Sequence, residues 1–281
     1  MVKILSDSTC DLSPELVEQY GIEILPLHVL LEEGDYKDGV DITPAEIFAW
    51  SDEHKSTPKT AAPSIEDAVE SIGKLLADGN DVICFSISET MSSSFNIMRL
   101  AIEELEAEER AFAFNSANLS TGIGLLVLEA ACMAKDGMGA AEILKKLEEL
   151  RPRVRSSFVV DTLTYLHRGG RCSGVAALAG GMLKLHPKIV VIDGKMEVER
   201  KYRGNIAKVI KSYVQDMEED LKAARPARVF ITHSVSDEKI VNDVRDYLEG
   251  LSVFDEILET RAGGVISSHC GPGTLGVLFI A

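Results

Sequence analysis

The chain is short of the features that build small secreted or metal-held proteins. Its five cysteines, Cys10, Cys84, Cys132, Cys172 and Cys270, are scattered, odd in number and never spaced Cys-x-x-Cys. That argues against a disulfide framework and against a zinc ribbon, and no metal ligand set is assigned. Long apolar runs are missing too. One such run, Gly122 to Leu128, stops at Glu129, and none approaches the roughly 20 residues that cross a bilayer, so no stable membrane insertion is expected. Positive charge is scarce: 29 Lys and Arg against 45 Asp and Glu leave a net charge of −16. Such a surface repels phosphate backbones, and nucleic acid is excluded as a partner. The G-x-S-x-G elbow of many serine hydrolases does not occur. Repeats and low-complexity segments are also lacking. The opening MVKILSDSTCDLSPEL meets Ser6 and Asp7 too soon for a secretory signal, and a cytoplasmic protein is expected.

What is present reads as ordinary globular α/β sequence, with 46% hydrophobic and 26% charged residues over 281 positions. Val2 to Leu5 has the composition of a buried strand. Ser13-Pro14 opens a helix, with serine as cap and proline in the first turn. Ile22 to Leu31 reads as one strand. Thr43-Pro44-Ala45-Glu46 has capping-box spacing and predicts a helix to about Asp52. The stretch STPKTAAPS reads as a polar loop, and Ser64 caps the next helix. A strand at 81–87 is followed by a serine turn and a helix to about Glu109. Ala111 to Phe114 reads as a strand and Gly122 to Lys135 as a helix. This alternation predicts a mostly parallel sheet flanked by helices. Beyond RPRVR the character changes. KIVVIDGKMEVERKY predicts a hairpin turning at Asp193-Gly194. A long helix from about Asn205 to Ala224 follows, then strands at 228–232, near Ile257 and at 275–280. The expected organisation is two α/β domains, residues 1–155 with a parallel sheet and residues 156–281.

Several stretches could carry chemistry. In ISETMSSSFN (87–96) hydroxyls gather where a strand stops and a helix starts. An open α/β sheet binds ligands there, and a helix start offers free N–H groups to an anion. Ser92 or Ser93 would add a donor; a plain helix cap is the alternative. A nucleophilic role needs a histidine within reach of Ser92, and no spacing pairs His186, His233 or His269 with it. Thr60 in KTAAPS occupies a similar place relative to the sheet. His269 precedes Gly271-Pro272-Gly273, which allows close backbone approach to a head group or simply makes a tight turn. HRGGRCSG (167–174) lacks the ending of a P-loop. With Arg151, Arg153, Arg155, Arg168, Arg171, Arg200, Lys201 and Arg203 it lies in the one basic segment of an acidic chain, suited to phosphate or to an acidic partner surface. The run from Glu103 reads as a solvated helix face.

Taken together, DSTCD (7–11), YKDGVDITPAEIF (36–48), KTAAPS (59–64), ISETMSSSFN (87–96), SANLSTGIGLLVLEAA (116–131), FVVDTLTYLHRGGR (158–171) and HCGPGTLGVLFI (269–280) resemble the DegV family of bacterial fatty-acid-binding proteins from end to end. The resemblance implies one long-chain fatty acid held between two α/β domains, with no cofactor and no turnover by the chain itself. The carboxylate would be held at Thr60 and Ser92, with Ser93 and His269 assisting and Gly271 and Gly273 near the head group. It also implies a partner: a fatty acid kinase subunit related to dihydroxyacetone kinases, which phosphorylates the bound carboxylate with ATP. Arg203, with Arg168 and Arg171, would meet that partner or its phosphate. The chain departs from the family pattern at Ala61, Ala62, Ser93, Ser94, Asn115, His186 and Cys270. A lipid store or sensor without kinase coupling, or an esterase using Ser92, are the alternatives. The apolar wall is expected from the Gly122–Leu128 helix and the Val175–Leu185 segment.

Overall fold

The computed structural model describes residues 1–172, 174 and 185–281. Four strands, β1 (Val2–Asp7), β2 (Ile22–Leu25), β6 (Asp81–Ser86) and β7 (Ala111–Asn115), make a wholly parallel sheet in the order β2-β1-β6-β7. A small antiparallel sheet, β4-β3-β5, is formed by β3 (His28–Leu30), β4 (Asp35–Lys37) and β5 (Lys59–Ala61). The third sheet takes β8 (Val154–Val159), β9 (Leu185–Ile192), β10 (Lys195–Arg203), β11 (Arg228–Ser234), β12 (Glu256–Arg261) and β13 (Thr274–Ile280), in the order β10-β9-β8-β13-β11-β12.

The α/β class is as expected, but the parallel arrangement holds only for the first sheet. In the six-stranded sheet only β11 and β12 run parallel; the other pairs are antiparallel. The cause is partly local. Asp193 and Gly194 both take positive φ, 48° and 76°, as a tight primed turn requires, so β9 returns directly as β10. Local signals also set the helix starts. Ser13 and Ser64 cap the Pro14–Tyr20 and Ile65–Ala77 helices, and Thr43 and Glu46 close a capping box on Pro44–His54.

Three expectations need correction. The strand expected over 22–31 splits at Pro26, which has no N–H to offer a ladder. Leu27 instead donates its N–H to the Ser8 hydroxyl at 3.1 Å, and β3 joins a different sheet. The loop expected around Thr60 contains a strand, because Val29 pairs with Thr60 across β3 and β5. The helix expected over 205–224 breaks into Ile206–Gln215 and Glu218–Lys222, with Met217 turned into the core at 4% exposure.

The Thr121–Lys135 helix is buried along most of its length. It packs on β1 and β6 from one side and on β8 and β13 from the other, so both larger sheets share it. Its glycines allow that approach: a methyl at Gly124 would lie 2.8 Å from Leu12 Cδ2 and 3.0 Å from the Cys10 carbonyl. A short helix that the sequence did not suggest, Gly264–Cys270, packs against β3, β5, the Ser8–Cys10 turn and the Pro44–His54 and Thr164–Gly169 helices. Among the described residues no helix is long and apolar enough to cross a membrane.

Candidate functional site

Thr60 lies in the middle of β5 and His269 near the end of the Gly264–Cys270 helix. They are 209 positions apart in the chain, yet Thr60 Oγ1 and His269 Nε2 are 2.8 Å from each other. The serine turn between β6 and the Ser94–Glu104 helix comes to the same place. Thr60, Ser92, Ser93 and His269 all line one cavity of about 230 Å³. Most of its remaining wall is apolar, with Met91, Leu119, Met196 and Ile266 among the lining residues. Arg171 is the one cationic side chain in the wall among the described residues.

Each polar group is locally constrained. Ser93 is the N-cap residue of the 94–104 helix, but its side chain makes no capping bond. Ser92 Oγ accepts from the Ser94 N–H at 3.2 Å instead, so its own proton is free to turn into the cavity. The His269 ring is desolvated. Burial, and next the positive charge of Arg171, lower its pKa to about 4, so the imidazole is neutral near pH 7. Its Nδ1 is buried with no hydrogen-bond partner among the described residues. It faces Gly169, where a methyl group would come within 2.4 Å of it. The glycine thus makes room for the ring. Gly169→Ala is expected to push the imidazole off its bond with Thr60 and to raise the His269 pKa as the ring reaches water. NMR titration of the imidazole measures this, and an unchanged titration would show that the ring tolerates the methyl.

Ala61, Ala62 and Cys270 also line the cavity, whereas Gly271, Gly273, Arg168, Arg203 and His186 lie outside it. Gly271 and Gly273 take positive φ, 77° and 74°, and shape the turn into β13. A methyl on Gly271 would strike the Tyr165 ring at 2.5 Å. Arg168 is exposed on the Thr164–Gly169 helix, and Arg203 ends β10. The ring nitrogens of buried His186 lie 3.1 Å from the carbonyl oxygens of Val160 and Gly204, which fixes the chain just after Arg203. Within the basic segment, Arg151 pairs with Glu148 and Arg200 with Asp216. Residues 122–128 do not line the cavity, being enclosed between the two larger sheets. The rest of the expected apolar wall, 175–184, lies outside the described residues. Met91, Leu119, Met196 and Ile266 were not anticipated. They sit in different elements, and no sequence period connects them.

The whole chain is similar to known proteins. A family model described as an uncharacterised protein of the DegV family matches residues 1–281. A DegV domain-containing protein of Deinococcus radiodurans is 30% identical over 276 residues, 98% of this chain and 97% of that one. Among solved structures, a fatty-acid-binding DegV family protein from Thermus thermophilus superposes with a TM-score of 0.91 at 30% identity, covering 100% of this chain and 99% of the other. A stearic-acid-binding protein from Eubacterium ventriosum matches with a TM-score of 0.86, also at 30% identity, over 100% and 98% of the two chains.

Proposed function

Since the chain belongs to the DegV family, we propose that its cavity holds the carboxyl end of a long-chain fatty acid, which the protein carries without converting it. One observation bears most of the weight: Thr60, Ser92, Ser93 and His269, from three separate elements, meet in one cavity with mostly apolar remaining walls. A carboxylate must be hydrogen-bonded when it leaves water, and an alkyl chain must be screened from it. Thr60 and Ser92 would anchor the carboxylate, with Ser93 and His269 assisting. The neutral imidazole orients the Thr60 hydroxyl, and Arg171 supplies nearby positive charge. A narrower apolar slot of about 20 Å³ shares Leu119, Ile266 and Cys270 with the cavity and extends to Phe158 and Leu278. That slot is a path for the first methylenes. Among the described residues no histidine is hydrogen-bonded to Ser92, and His269 is engaged by Thr60, which favours a carrier over an esterase.

The reading places the protein in the cytoplasm and divides the chain into residues 1–155 and 156–281. The parallel sheet is complete by Asn115 and the six-stranded sheet begins at Val154, so the change of sheet comes just ahead of this boundary, which falls within β8. The reading also has the carrier present its acid to a separate ATP-dependent kinase, with Arg168, Arg171 and Arg203 toward the partner. Formation of acyl phosphate on addition of such a kinase and ATP separates this role from storage or sensing.

The test of binding is mass spectrometry of the purified chain, first native and then after organic extraction. A stoichiometric, non-covalent fatty acid is expected. An empty chain that also refuses added fatty acid would remove the assignment.

A further inference from the structure

Both arms of the cavity are fastened to the first 38 residues by buried aspartates. Asp7, at the end of β1, has no exposed surface. One of its oxygens accepts from the Thr9 N–H at 3.2 Å and the Thr9 hydroxyl at 2.5 Å. The other accepts from the Ile87 N–H at 2.9 Å and the Ser94 hydroxyl at 2.8 Å. Ile87 and Ser94 flank the serine turn, so one carboxylate holds both its ends. Asp11 accepts from the Ser120 hydroxyl at 2.5 Å and the Gly263 N–H at 2.8 Å. Asp38 accepts from the Ser8 hydroxyl at 2.8 Å and the Gly264 N–H at 2.6 Å. Gly263 and Gly264 are the N-cap and first residue of the helix that carries His269.

The N–H groups at a helix start have no partner inside the helix. Here the acceptors come from 252 and 226 positions away in sequence. The approach leaves no room for side chains: a methyl on Gly264 would lie 2.8 Å from Asp38 Oδ1. Burying ionisable groups opposes folding, and apolar groups of similar volume would avoid that cost. Their geometry accounts for their presence. At Asp7 two donors converge on each oxygen, whereas an amide accepts on one side only and turns hydrogens toward whatever faces the other.

We propose that Asp7, Asp11 and Asp38 are positioning residues for the head-group cavity, holding the serine turn and the His269 helix in fixed relation without touching the ligand. Asp7 sets the serine arm; Asp11 and Asp38 set the histidine arm. What the cavity binds rests on the fatty-acid reading above. How its two arms are held does not.

The two arms make the test specific. Asp7→Asn must turn amide hydrogens toward either the Thr9 or the Ile87 N–H, releasing one attachment. Asp38→Ala frees the Gly264 N–H. Asp38→Asn can still accept it through Oδ1 while donating to Ser8, and serves as the rescue. Full-length variants are followed by imidazole NMR of His269 and by calorimetric titration with palmitate. Asp38→Ala is expected to shift the His269 signals and weaken palmitate binding about tenfold, the scale of one weakened hydrogen bond, and Asp38→Asn to restore both. Asp7→Asn is expected to weaken binding similarly with the His269 signals in place. If Asp38→Ala fails to fold, Gly264→Ala displaces the same contact. Unmoved His269 signals on the Asp38 side, or equal shifts from both arms, would overturn the proposal. A wild-type chain that takes up no palmitate would instead sink the fatty-acid reading, while the imidazole signals, which need no ligand, still decide the positioning role.

Discussion

Thr60→Ala combined with Ser92→Ala is expected to strip the purified chain of most of its fatty acid. The two ends of the ligand contribute differently. Burying an alkyl chain contributes about 0.8 kcal/mol per methylene, roughly 12 kcal/mol gross for 16 carbons. Ordering the chain and losing its free motion offset a large part of that. The alkyl part therefore favours entry but does not choose which end lies at the serine turn. That choice falls to the hydroxyls, since a hydrogen bond to a charged group contributes about 1.5–3 kcal/mol. Losing two leaves the carboxylate under-solvated and weakens binding by about a hundredfold or more, at 1.4 kcal/mol per factor of ten. Thr60→Ala has a second effect, because His269 Nε2 loses its partner and Nδ1 already has none. Thr60→Ser is therefore the informative control, keeping the hydroxyl and removing only the methyl. Extraction and mass spectrometry give the occupancy. Full occupancy in the double mutant would move the carboxylate elsewhere.

Which parts of this site were legible beforehand follows from the range of the interactions. Signals within four residues were readable: the serine caps at 13 and 64, the capping box at 43–46 and the Asp193-Gly194 turn all stand in the structure. Contacts between distant segments were not. Thr60 by itself is a loop threonine; only its strand pairing with Val29 and its bond to His269 bring it to the cavity. The same holds for DSTCD, whose two aspartates find partners at Ile87, Ser94, Ser120 and Gly263. The Gly264–Cys270 helix was missed because it is only seven residues long and is started by Gly263, which offers no side-chain cap. Its N–H partner Asp38 lies 226 positions away. The reading of Thr60, Ser92 and His269 as one group came from likeness to a family, not from periodicity.

Asp11 makes the second large prediction, on the pH dependence of stability. Burial is the main influence on its carboxyl; hydrogen bonds from Ser120 and Gly263 oppose it, and the charges of Asp38 and Asp7 add to it, so that its pKa rises from 3.8 to about 8. The thiols of Cys10 and Cys270 also feel Asp11, but burial pushes both up to about 12 and they stay neutral across the range considered. A carboxyl whose pKa is raised by folding stabilises the fold fully below its unfolded pKa, and that contribution is lost as pH rises through the folded pKa. For Asp11 the window runs from about pH 4 to about pH 8, with a slope approaching about 1.4 kcal/mol per pH unit for a single group. Asp7 and Asp38 are shifted in the same direction by burial. Asp11→Asn removes one titration and leaves the rest, including the lowered His233 and His269, common to both chains. The difference in urea midpoint between Asp11→Asn and wild type is therefore expected to move in favour of asparagine from pH 5 to pH 8. A difference that stays constant with pH would mean that Asp11 is ionised in both states. Its bond to Gly263 would then be held by a carboxylate at no protonation cost, and the destabilisation attributed to its burial would be absent.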